Sequence, residues 1–155
     1  MQRSTSTRKR SLRGRGRGGP PPPESFRPRE ATLPADSAQI GRARAFADIA
    51  ANVFGFDHDA RYAFRMAISE VVANAIEHGS SSSDDIVRLR AVEEDGALAF
   101  YVTDVGSFTA PETLIEDALR ERGRGIEMIR WLMDELDVRP GYEGTVIRFA
   151  KQLSA

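Results

Sequence analysis

The chain has no cysteine. That excludes a disulfide framework, a cysteine-based zinc site and a cysteine nucleophile. No apolar run approaches the roughly 20 residues that cross a bilayer. The Arg-rich start is not followed by an apolar stretch, which argues against a secretory signal. A cytoplasmic protein of bacterial type, with no membrane contact, is the expectation. Lysine is scarce: only Lys9 and Lys151 occur. Neither lies in a G-x-x-x-x-G-K-[ST] loop, and no H-R-D or D-F-G is present, so those two phosphate-handling designs fit poorly.

The formal net charge of −1 hides two regions. Residues 1–30 carry nine Lys/Arg and two Glu, a balance of +7. Residues 31–155 carry 13 Lys/Arg and 21 Asp/Glu, a balance of −8. An acidic folded part argues against direct binding of nucleic acid. Residues 1–25 hold almost no apolar side chains and read as a disordered Arg/Gly/Pro-rich tail. Gly14, Gly16 and Gly19 spell G-x-G-x-x-G, but no strand precedes them and Pro20–Pro23 follow where a helix should start. The run also suits contact with RNA, acidic lipid or an acidic partner. Residues 26–155 are long enough for one domain with a real core.

That domain is organised around Ile68–Gly79, ISEVVANAIEHG. A helix is predicted from about Asp57 or Asp59 to His78, closing at Gly79. Phe64, Ile68, Val71 and Ala75 form a core stripe. Ala63, Ala67, Glu70, Asn74 and His78 form a second stripe beside it. Glu70 and Asn74 therefore share a face, one turn apart. Asn offers a neutral oxygen to a hard cation such as Mg²⁺. Glu can orient or deprotonate a hydroxyl beside it. The same stripe also suits a solvated polar edge. His78 reads as a capping or packing residue.

Around this helix the pattern is mixed. Glu30–Leu33 is a short edge strand confined by Pro28 and Pro34. Asp36 or Ser37 caps a helix with Ile40, Ala43, Ala47, Ala50 and Phe54 on its apolar face, ending at Gly55. Arg42 and Arg44 lie on its exposed side. Ile86–Val92 alternates as a half-buried strand, Asp95-Gly96 marks a hairpin, and a strand follows from about Ala97 to Thr103. Leu98, Phe100 and Val102 share a face, and Asp104 continues that parity inward. Gly106 follows, and D-x-G alone also reads as a turn. Ser107–Arg122 reads as a surface segment or lid. Gly123-Arg124-Gly125 then opens a helix with Ile126, Ile129, Leu132, Met133 and Leu136 at helical spacing. Bare N–H groups, the helix dipole and Arg124 suit a phosphate there, although a flexible helix entry gives the same letters. Trp131 is expected to pack. A strand at Leu136–Val138, a turn spanning Pro140-Gly141 and Glu143-Gly144, and a strand at Thr145–Phe149 close the chain. Thr145 faces inward with Ile147 and Phe149.

The order of these elements is more specific than any one of them. ISEVVANAIEHG, YVTDVG, RGRGIEMIRWLMDEL and EGTVIRF together resemble the GHKL ATPases with their Bergerat nucleotide-binding fold. Among these they are most similar to anti-sigma-factor serine/threonine kinases of the RsbW type. The likeness spans about Glu30 to Gln152. It implies an α+β fold: a two-layer sandwich with a mostly antiparallel sheet covered by helices on one face. It implies ATP and Mg²⁺, with Asn74 as metal ligand and Glu70 as base. It implies Asp104 as acceptor of the adenine amino group, with Gly106 in its turn and Thr145 assisting. Gly123, Arg124 and Gly125 would then lie around the phosphates. It also implies a homodimer that binds a sigma factor and phosphorylates an anti-anti-sigma protein of the STAS type. The family's D-x-G-x-G-F reads here Asp104-Val105-Gly106-Ser107-Phe108, one residue shorter, which implies a lid that closes differently. The other readings are a catalytically inactive protein that sequesters a sigma factor or another regulator, and a histidine-kinase ATPase domain. No phospho-acceptor helical hairpin is legible upstream for the latter.

Overall fold

A computed structural model describes residues 26–79, 82–105, 123–141 and 144–153. Five strands form one antiparallel sheet: β1 (Arg29–Pro34), β2 (Ile86–Glu94), β3 (Ala97–Val105), β4 (Glu135–Gly141) and β5 (Gly144–Gln152), in the spatial order β1-β2-β3-β5-β4. Among the described residues three α-helices accompany it: α1 (Ile40–Phe54), α2 (His58–Asn74) and α3 (Gly123–Leu132). This is the α+β architecture expected from the sequence.

Local signals set most boundaries. The Asp36 side chain accepts a hydrogen bond from the Ala38 N–H in a single 3₁₀ turn that leads into α1. Asp57 accepts from the Ala60 N–H at 2.9 Å and so caps α2. Asp95 and Gly96, at φ 50° and 83°, make the two-residue β2–β3 turn that matches strand twist.

The core lies between the helices and one face of the sheet. Val87, Leu89, Leu98, Phe100, Val102, Ile147 and Phe149 point inward from the strands. Phe54, Phe56, Phe64, Phe100 and Phe149 form a chain of ring contacts with centroids 5.0–5.4 Å apart. Ala43, Ala47, Ala50 and Ala51 are fully buried on α1, and small side chains there let it lie close to α2. Asp48 of α1 accepts two hydrogen bonds from Arg61, at 2.7 and 3.1 Å, and one from Arg65 at 2.8 Å. These guanidinium groups hold the Asp48 carboxyl below its ordinary range.

The opposite sheet face is closed by charge rather than by a helix. Arg148 donates to Glu94 at 2.7 and 3.0 Å and to Glu135 at 2.7 Å, and its guanidinium stacks over Tyr101. Tyr101 also donates to Glu94. The alanines on this face, Ala97, Ala99 and Ala150, form a small buried cluster with Val92, against which Tyr101 packs. Burial works to raise the Glu94 carboxyl, but the hydrogen bonds from Tyr101 and Arg148 outweigh it and leave the group low.

The sequence reading needs four corrections. The central helix is not α-helical to His78: α2 stops at Asn74, and Ala75–Gly79 wind as a π turn. Trp131 does not pack; it is 84% exposed. Leu136 belongs to β4 rather than to the preceding helix, and β4 continues through Pro140 and Gly141, which pair with Thr145 and Gly144. β3 runs on to Val105, carrying Asp104 inside the strand.

Glu94 binds fewer protons folded than unfolded, because its folded value is the lower one. Its contribution is therefore complete above the ordinary carboxylate range and is lost as pH falls through the folded value. Glu94→Gln should lower stability by about 1–2 kcal/mol at pH 7. Denaturant titrations of both proteins should converge on acidification; a difference that persists unchanged at low pH would contradict the assignment.

Candidate functional site

α2 packs against α3, and the π turn that follows α2 packs against β3 and β5. Asn74 is the last α-helical residue and is 6% exposed. Its Nδ2 makes no hydrogen bond among the described residues. A buried amide left unpaired costs about 1–3 kcal/mol, so the position is poised for a ligand. The change from α to π winding begins at the next residue, and such single turns occur often at functional sites.

Glu70 lies one turn earlier and is half-buried. It faces the start of α3. An added Cβ on Gly125 would overlap the Glu70 carboxyl group. Glu70 and Gly125 thus touch because Gly125 has no side chain.

The second carboxylate is built in the same manner. Asp104 is 3% exposed, on the inner face as its strand parity predicts. Its Oδ1 accepts a 2.6 Å hydrogen bond from the Thr145 backbone N–H. Gly144 sits at φ 126°, which L side chains rarely adopt, and a Cβ there would overlap the Asp104 carbonyl oxygen and Oδ1. Gly144 is absent from the site residues expected from the sequence. Its signal was present in E-G-T, but reads there as a turn. Thr145 acts on Asp104 through its main chain, with the side chain half-buried.

Arg124 is exposed in the first turn of α3, with Gly123 before it. Gly106 and the Ser107–Arg122 segment lie outside the described residues. The structure thus groups Glu70 with Gly125 at the α2–α3 contact and Asp104 with Gly144 and Thr145 at the strand ends, and Asn74 leads into the π turn packed on those strands.

Residues 33–151 match the family described as the histidine kinase-like ATPase domain. The chain belongs to that family. This ATPase domain is 26% identical over 141 residues to the serine-protein kinase RsbW of Bacillus pumilus (strain SAFR-032), covering 81% of this chain and 85% of that one. It also superposes with a TM-score of 0.64 and 26% identity on a crystal structure of the RsbU and RsbW domains of a Mycobacterium tuberculosis protein. That match covers 83% of this chain and a third, 33%, of the other. The likeness to RsbW-type kinases that the motifs carry is therefore supported by sequence and by structure, and the GHKL fold with them.

The ATPase domain's donor set is suited to an adenine nucleotide. An ionised Asp carboxylate such as that of Asp104 can accept from an exocyclic amino group. Among the described residues no group of three or more His, Asp or Glu side chains could hold a metal by itself. Mg²⁺ needs only one or two protein ligands when phosphates and water supply the rest. Asn74 fits that requirement, because turning its amide over presents the oxygen at the orphaned position.

Gly144→Ala should combine a strained backbone with overlap at Asp104 and destabilise by about 1–3 kcal/mol. Thr145→Val keeps the N–H and should change thermal stability far less. Equal losses in the two variants would show that the Thr145 side chain, and not its main chain, holds Asp104.

Proposed function

We propose that this chain is an ATP-dependent anti-sigma-factor serine/threonine kinase of a partner-switching system. It would bind a sigma factor and phosphorylate an anti-anti-sigma protein of the STAS type, and act as a homodimer in the cytoplasm. The observation that carries the reading is the buried, unpartnered Asn74 amide one turn from Glu70. Family membership and the RsbW likeness support it. No helix among the described residues is long and apolar enough to cross a membrane.

Each residue has a distinct task in this reading. Asp104 accepts the adenine N6 amino group, held in place by the Thr145 N–H and given room by Gly144. Gly106 shapes the turn after it. Gly123, Arg124 and Gly125 present N–H groups and positive charge to the phosphates. Asn74 holds Mg²⁺, which when bound neutralises phosphate charge. Glu70 orients the acceptor hydroxyl and takes its proton. The hydroxyl oxygen bonds to the γ-phosphorus as the bond to the β,γ-bridging oxygen breaks, and ADP leaves. Phosphoryl transfer depends mainly on such positioning and charge stabilisation. A carboxylate beside the acceptor is the part that a purely sequestering protein does not need. Residues 1–25 lie outside this machinery, and deleting them should leave nucleotide binding intact.

Thermal unfolding with Mg·ATP tests the site. Ligand at 100 times its dissociation constant stabilises by about 2.7 kcal/mol. That is a midpoint shift on the order of 5–10 °C, expected for the wild type and lost in Asn74→Ala. Glu70→Ala should keep the shift but lose transfer to a STAS-protein serine or threonine by about 10²–10⁴-fold. A shift without transfer in the wild type would leave a nucleotide-bound sequestering protein in place of a kinase.

A further inference from the structure

Gly125 stands inside the first turn of α3 with an ordinary helical backbone; it is not among the glycines at positive φ. Nothing in its conformation asks for glycine. Glycine in a helix is less favourable than alanine by roughly 0.8–1 kcal/mol. The three atoms nearest its absent Cβ all belong to Glu70: Oε1, Cδ and Cγ fall inside the space a methyl would fill.

We propose that Gly125 is a positioning residue for Glu70. The missing side chain forms a slot on α3 into which the carboxyl of α2 fits. The slot fixes the rotamer of Glu70 and ties the first turn of α3 to α2. Any displacement of that turn then displaces the carboxylate. Because α3 starts where Ser107–Arg122 ends, the slot makes the setting of Glu70 depend on the same turn that faces the phosphates. The catalytic half of this inference rests on the kinase reading; the steric half does not.

The test is a double-mutant cycle on the full chain without nucleotide. In the wild-type background Gly125→Ala should lower the thermal midpoint slightly, because the Glu70 side chain must rotate out of the slot. In a Glu70→Ala background the colliding carboxyl is gone, and the same substitution should raise the midpoint slightly, because alanine is the better helix former. The reversal of sign is the signature. An equal effect in both backgrounds would overturn the slot. So would a Gly125→Ala protein as stable as wild type, which would leave a glycine needed only for close phosphate approach. Transfer assays then address the catalytic half. Gly125→Ala should lose at least 100-fold in kcat, and Glu70→Asp, one methylene shorter, should recover at least tenfold of that loss in the double variant. Failure of the rescue alongside the sign reversal would reject the positioning role while keeping the contact. Absence of transfer in the wild type with the reversal intact would reject the kinase reading alone.

Discussion

A buried amide nitrogen without a partner is unfavourable by about 1–3 kcal/mol, and among the described residues the Asn74 Nδ2 carries that burden at the junction on which the rest of the domain depends. α2 meets α1 on one side and α3 on the other, and it delivers the chain through the π turn to the ends of β3 and β5. Shifting α2 by one residue would turn the face shared by Glu70 and Asn74 by about 100°. The alanines of α1, the Asp48 clamp and the phenylalanine chain therefore fix more than stability. They fix the height and rotation at which α2 ends.

The two candidate carboxylates show a common means of construction. Glu70 and Asp104 each face a glycine whose Cβ would collide with them. The two glycines differ in kind. Gly144 is demanded by both backbone conformation and space, whereas Gly125 is demanded by space alone. Carboxylates set against bare backbone are held by shape as well as by hydrogen bonds. Arg148 on the other sheet face is the contrast. Its donors are taken up by Glu94 and Glu135, its plane is stacked over Tyr101, and it closes a surface instead of opening a site.

Much of this was legible in the sequence. Period-2 parity put Asp104 on the inner face because the strand holds its register to Val105. Cap and turn chemistry at Asp57 and Asp95-Gly96 set boundaries within a residue or two, whereas Asp36 caps the 3₁₀ turn Ser37–Gln39 and α1 starts at Ile40 without a side-chain cap. The misses have physical causes. A π turn keeps the composition of a helix, so Ala75–Gly79 carried no local mark of changed winding. Trp131 lies off the Ile126-Ile129-Met133 stripe of α3 and is exposed. Thr145 was read through its hydroxyl because a sequence displays side chains, while the contact that matters runs through its N–H.

Gly125 marks the limit of such reading. G-R-G before a helical stripe points to phosphate because bare N–H groups gather there, and the letters carry no second explanation. Only the packing of α3 on α2 adds one, by filling the absent Cβ with the carboxyl of a residue 55 positions earlier. The two explanations are compatible. A helix start that approaches phosphate closely must also approach whatever group handles the acceptor hydroxyl, since both act at one phosphorus atom. A glycine at that point meets both constraints, and any larger residue would have to give up one of them.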